Sequence, residues 1–173
     1  MSPAKPDPRV PPAPTPQDLA DEAFHPVHLQ RVPLRLWERA SVHTAELIRE
    51  FFLLTSGAEQ QLHPTPQRLL DLVDDLRARY AGVSDEPEEQ RLTALEEGRV
   101  TLEVTYHVAA SAAQACRDLL AGLDEADEFC SAGQRLITLA SPPDQIAFRH
   151  WYLGEFIAQL AGGASTPWPG SLD

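Results

Sequence analysis

Val100-Thr101-Leu102-Glu103-Val104-Thr105-Tyr106-His107-Val108 alternates apolar and polar side chains without a break. A period of two built from β-branched and aromatic residues is a strand with one face turned to a core and one to water. It interrupts a chain whose other folded segments keep a helical rhythm. A lone strand leaves its backbone N–H and C=O groups unpaired, so this one needs a partner. Val27-His28-Leu29-Gln30-Arg31-Val32 is the best internal candidate. The expected result is a two-stranded ribbon laid against helices, with pairing to another subunit's edge as the alternative.

Helix signals surround the ribbon. Leu34 to Thr55 repeats apolar residues at positions 34, 37, 45, 48, 51, 52 and 54, near the 3.6-residue period. Pro33 suits its first turn and Ser56-Gly57 its end. Thr65-Pro66 is expected to open a second helix, with the threonine capping free amides and Leu69, Leu72, Val73, Leu76 and Tyr80 as its stripe; Gly82 ends it. A third helix starts near Ser84 or Asp85, carries acidic residues early, and closes at Gly98. Ala109 to Ser131 forms a fourth, whose small residues let a neighbour approach closely. Ser141-Pro142-Pro143-Asp144 starts a fifth that runs through Leu160. The fold class is therefore mainly α, a helical bundle of four to five helices with a small two-stranded β ribbon.

Residues 1–23 form a proline-rich leader, with seven prolines among the first 16 residues; such a run cannot bury enough surface to offset its ordering. Residues 24–162 make a single helical domain. Residues 163–173 read as a flexible tail, rich in glycine and proline, that Trp168 could anchor by folding back.

Composition bounds the chemistry. The 173 residues carry 26 acidic and 14 basic side chains, a formal charge of −12, and such a field disfavours nucleic acid. No apolar run approaches the roughly 20 residues of a membrane span, and the N-terminus lacks a secretory pattern, so the expected location is the cytoplasm and the expected partners exclude membranes. Asparagine is absent and Lys5 is the only lysine. Cys116 and Cys130 share one predicted helix, about 21 Å apart at 1.5 Å per residue, too far for a disulfide.

Catalytic patterns are missing. The glycines form no phosphate-binding loop, and no Gly-x-Ser-x-Gly, Cys-x-x-Cys or His-x-x-x-His occurs. The single Glu-x-x-His, Glu22 to His25, lies at the edge of the leader. The alternative to a binding role is a small-molecule or metal-dependent enzyme in which His43, His107 and His150 converge in a bundle cavity. No cofactor is implied. Asp124, Glu125, Asp127 and Glu128 lack calcium-loop spacing and read as a solvated helix face. Arg31, Arg35 and Arg39 recur every four residues and can meet an acidic helix of the same chain or an acidic partner. Phe148, Trp151 and Tyr152 on the aromatic-rich last helix are either interface anchors or core.

Three blocks carry a resemblance. Val32-Pro33-Leu34-Arg35-Leu36 with His43 and Glu46-Leu47-Ile48-Arg49-Glu50-Phe51, then Leu123 to Cys130, then Phe148 to Phe156, resemble recurring blocks of actinobacterial regulatory proteins. Those helical proteins are associated with histidine-kinase-like ATPases and anti-sigma antagonist (STAS) domains. The resemblance spans about residues 27 to 168. It implies a non-enzymatic regulatory protein–protein interaction module in partner-switching control of transcription or stress response. The implied partner is an ATPase or anti-sigma regulator, with a homodimer as a second form. The ATPase's own Asn-bearing box and Asp-x-Gly-x-Gly loop are absent, so kinase activity is not implied. On this reading Arg31, Arg35, Arg39, Phe148, Trp151 and Tyr152 are the candidate partner-binding residues.

Overall fold

A computed structural model describes residues 23–56, 64–132 and 140–172. Residues 1–22 of the leader, including Glu22, and the expected helix stop at Gly57 lie outside the described residues. Strand β1 spans Phe24–Pro33, helix α1 Leu34–Ser56, α2 Pro64–Arg79, α3 Asp85–Glu96, strand β2 Thr101–Ala109, α4 Ala112–Ala132 and α5 Pro143–Leu160. The chain is thus five described helices and a two-stranded antiparallel sheet, and β2 takes its partner from within the chain.

Val27 pairs with Tyr106, Leu29 with Val104 and Val32 with Leu102. Between Leu29 and Val32 the register slips by one residue, and Arg31 there adopts a left-handed φ of 56°. Strict alternation after Val27 and Leu29 would turn Arg31 into the core. The extra residue of the bulge instead brings Val32 inward and leaves Arg31 exposed. The inner face then joins Val27, Leu29, Val32, Leu102, Val104, Tyr106 and Val108, all buried.

The other edge of β1 is covered. The Gln159 side chain accepts from the His28 N–H at 2.9 Å and donates to the His28 carbonyl at 2.8 Å. The Trp168 N–H donates to the Gln30 carbonyl at 3.0 Å, and Arg31 Nη1 donates to the Trp168 carbonyl at 3.0 Å. Such an edge no longer offers a template to another chain. These contacts also correct the expectation of a flexible tail. Residues 161–172 form a strap over the ribbon, with the Trp168 ring buried against Phe148 and Trp151. Trp168 does fold back, and the strained bulge is what presents the carbonyl it grips.

Four helices form a ring. α1 packs on α2, α2 on α4, α4 on α5 and α5 on α1, and α1 also reaches across to α4 at its far end, where the Phe51 and Phe129 rings lie edge to face at 5.8 Å. Gly122 of α4 lets α2 come close: a Cβ there would lie 3.3 Å from Leu72 Cδ2 and 3.4 Å from Leu69 Cδ1. α3 lies apart, against β2, and ends at Gly98, whose φ of +71° suits a residue without a Cβ. Thr65 differs from its expected capping role. It is buried inside the first turn of α2, and its hydroxyl donates to Glu125 Oε1 at 3.0 Å, because α4 brings a stronger acceptor within reach.

The buried apolar residues fall into two clusters. One unites the ribbon with Leu36, Trp37, Phe148, Phe156 and Trp168. The other holds Leu47, Phe51, Leu69, Val73, Leu123, Ala126 and Cys130 at the far end of the ring. No described helix is long and apolar enough to cross a membrane.

Candidate functional site: a cleft at the centre of the helix ring

The two clusters do not merge, because α1 changes character between them. Trp37 and Leu47 are buried, but between them the residues lining the gap are Ala40 and Thr44, half-buried, and Ser41 and Ala45, exposed. Where a bundle would place leucines to meet α4 across the ring, these small side chains leave space. The result is an open cleft of about 310 Å³, walled by α1, α2, α4 and α5. Trp37, Phe148 and Tyr152 close one end and Ile48, Leu119 and Leu123 the other. A second apolar cavity of about 200 Å³ lies between α4, α5 and β2, and Leu119, Tyr152 and Leu153 are common to both walls.

One polar side of the cleft is highly organised. Arg149 Nη2 donates to Asp124 Oδ1 at 2.5 Å and to Asp127 Oδ2 at 2.8 Å. Asp127 Oδ1 also accepts from the Ser141 N–H at 2.8 Å, tying the start of α5 to α4, and His150 Nε2 lies 3.0 Å from Asp124 Oδ1. Glu125 binds Thr65 and Arg68. Of the acidic run expected to be a solvated face, Asp124, Glu125 and Asp127 form the polar seam joining α4 to α2 and α5, with Asp127 buried, while Glu128 is exposed. Arg149 Nε and Gln145 Oε1 are buried with no hydrogen-bond partner, and both residues line the cleft one helical turn apart on α5.

The aromatic residues belong to the core. Tyr152 contacts Trp37, Tyr106, Phe148 and Phe156 at ring-centroid distances from 5.6 to 6.2 Å, and its hydroxyl shares a hydrogen bond with that of Tyr106. Burial pushes the Tyr106 phenol up to about 12, and burial beside Tyr106 raises Tyr152 well above its ordinary value. Phe148 is 4% exposed, and Trp151 packs on the same cluster with its indole N–H held by the Thr166 carbonyl at 3.1 Å. Of the three candidate anchors, Phe148 is part of the monomer's interior, and Trp151 and Tyr152 are partly buried against the same cluster. The basic stripe divides too: Arg31 grips the strap, Arg39 pairs with Asp144 at 2.8 Å, and Arg35 is exposed.

The three histidines do not assemble. Among the described residues no group of three or more His, Cys, Asp or Glu side chains could hold a metal. His107 points outward from β2 and His150 sits on Asp124. Both cysteines are free on α4, and burial raises Cys116 to about 12 and Cys130 to about 11, so neither is a poised nucleophile.

Two features escaped the sequence reading. Arg91, 8% exposed, holds Glu88 through two hydrogen bonds and lies 5.7 Å from the Trp37 ring centroid; nothing in the helical pattern of α3 marks an arginine as inward. The cleft did leave a trace, since the apolar stripe of α1 lapses between Trp37 and Ala45.

Large apolar side chains remain exposed at the end of α1. Phe52, Leu53 and Leu54 are 60%, 56% and 43% exposed, while Phe51 is buried. At about 100° per residue, three consecutive exposed positions take up most of the helix circumference. A shallow groove between α1 and α2, lined by Ile48, Phe52 and Leu70, runs beside them. The chain matches no protein-family model, and no curated protein or solved structure is significantly similar to it.

Proposed function

We propose that the chain is a non-enzymatic regulatory module that binds another protein through the projecting end of α1. The observation that carries this reading is the run Phe52-Leu53-Leu54, three large apolar side chains left in water at the end of an otherwise amphipathic helix. Contiguous exposed apolar surface costs solubility and marks interaction sites. The groove beside it supplies charged rims from Arg49, Asp71, Asp74 and Arg77, the apolar-centre and polar-rim pattern of transient interfaces. A second copy would bring together two bodies of formal charge −12, so a partner with a basic rim is favoured over a homodimer. The partner class, an ATPase or anti-sigma regulator in partner-switching control, rests on the resemblance of the α1, α4 and α5 blocks alone.

The test compares the native chain with the Phe52→Glu, Leu53→Glu double variant, both of whose positions are solvated and tolerate charge. Affinity capture from the native cell should recover a regulator of that class on the native chain and lose it on the variant. Equal recovery on both would refute the α1 surface, and recovery of no regulator would refute the functional reading. A concentration-dependent dimer in light scattering, abolished in the variant, would replace the partner with a second copy.

A further inference from the structure

The strap over β1 makes contacts of the kind a bound peptide makes, and they converge on one groove between β1 and α5. Glu155, only 5% exposed, accepts from the Thr166 N–H at 2.9 Å and from the Thr166 hydroxyl. The Trp151 indole N–H donates to the Thr166 carbonyl at 3.1 Å. Two residues on, the Gln30 carbonyl receives the Trp168 N–H and Arg31 holds the Trp168 carbonyl, each at 3.0 Å. The indole ring fills the space beside Phe148 and Trp151, and a Cβ at Gly170 would overlap that ring. Pro167 and Pro169 are exposed; their fixed φ keeps the segment extended and lowers the cost of ordering it. The groove thus fits Thr-Pro-Trp-Pro-Gly through a buried carboxylate, a ring pocket and backbone hydrogen bonds, the means by which extended peptides are recognised.

The strap is lightly held for so specific a fit. Of residues 161–172 only Trp168 is buried, and a segment with one buried anchor opens more readily than the core. The turn that seats it needs glycine: Gly162 has a φ of +89°, and a Cβ on Gly163 would lie 2.8 Å from the Ala158 carbonyl oxygen. When the strap lifts, Glu155 keeps Gln159 but loses both Thr166 donors, and so buried a carboxylate favours any segment that replaces them. Exchange of straps between two copies would bring together two bodies each of formal charge −12, which favours a different protein as the source. We propose that the β1–α5 groove is a recognition site for an extended Thr-Pro-Trp-Pro-Gly segment of another protein, and that the strap is the chain's own copy of that segment, holding the groove shut. The groove uses β1 and α5 and not the projecting end of α1, so the two readings stand or fall separately.

Fluorescence anisotropy of a labelled peptide, residues 164–172, tests the site on the full chain. Trp168→Ala, which empties the ring pocket, should bind the peptide saturably and one to one. The native chain should bind it about a hundredfold more weakly, because its own strap competes. Peptides carrying Trp168→Ala or Thr166→Val should each bind at least tenfold more weakly than the native sequence. Gly163→Val opens the turn from outside the groove and should also bind the peptide at least tenfold more tightly than the native chain, which keeps the test decisive if Trp168→Ala does not fold. No saturable binding to either folded variant, equal binding of the substituted peptides, or native binding as tight as that of the variants would overturn the proposal. So would a Gly163→Val dimer in light scattering that the peptide dissolves, since the occupant would then be a second copy.

Discussion

Trp168→Ala should destabilise the fold by about 3 kcal/mol, within the range for removing a large buried aromatic side chain. A tryptophan buries roughly 200 Å², and at about 25 cal/mol per Å² its removal from the core has an upper bound near 5 kcal/mol. Trp168 is 5% exposed, stands edge-on to Phe148 at 5.7 Å and to Trp151 at 5.4 Å, and donates its indole N–H to the Ser171 carbonyl at 2.8 Å. Two effects bring the loss below the bound. The ring lies under a surface strap, so water and neighbouring rings fill part of the vacated space. The strap can also detach and regain backbone entropy, so the loss cannot exceed the strap's own docking free energy. In thermal denaturation followed by circular dichroism, about 3 kcal/mol in a chain of this length lowers Tm by roughly 6–12 °C. Trp151 should lose the acceptor at Thr166 when the strap lifts, and its emission should shift to the red. A Tm within about 2 °C of the native value, with emission unchanged, would refute the docked strap and with it the account of the β1 bulge.

Further outcomes follow from the seams. Arg149→Ala leaves Asp127 buried beside Asp124 without a cation and should cost about 3 kcal/mol in urea denaturation, whereas an exposed-pair loss of under 1 kcal/mol would contradict the buried seam. Gly122→Val drives a side chain into Leu69 and Leu72 and should destabilise by about 1–3 kcal/mol through overpacking between α2 and α4, again read from the urea midpoint. Cys116 and Cys130, raised from 9.0 to about 12 and about 11, should react with iodoacetamide at pH 8 at least about a hundredfold more slowly than a free thiol until the chain is unfolded. The same groups set the alkaline limit. For an acid whose folded pKa is raised, the stabilisation of its neutral form is fully present below the unfolded pKa and is lost as pH rises above it. With Cys116, Cys130 and Tyr106 raised to between about 11 and about 12 and Tyr152 raised further, stability should be flat from pH 7 to 8. Between pH 9 and 11 it should fall by up to about 1.4 kcal/mol per pH unit for each group in its window, and a flat urea midpoint to pH 11 would contradict the burial of these side chains.

How far the sequence carries differs between local and distant features. The strand at 101–109, its partner at 24–33 and the five helices are legible because each is stated by neighbours in the chain: alternation, the 3.6-residue stripe, Pro33, Pro143 and Gly98. Side-chain roles that depend on another element are not legible. Thr65 looks like an N-cap until α4 offers Glu125; Phe148, Trp151 and Tyr152 fit an interface or a core equally well until Trp37, Tyr106 and Trp168 enclose them. The acidic run of α4 resembles any solvated face until Arg149 is laid across it.

By itself the sequence determined the class of fold, the order of its elements and the absence of the familiar catalytic patterns, since periodicity and turn chemistry act within a few residues. Only the tertiary structure decided that the tail becomes a strap, that three histidines stay apart and that α1 borders a cleft. Each of those depends on which surfaces meet across long stretches of chain, and that is settled by packing and charge pairing between elements that no local pattern records.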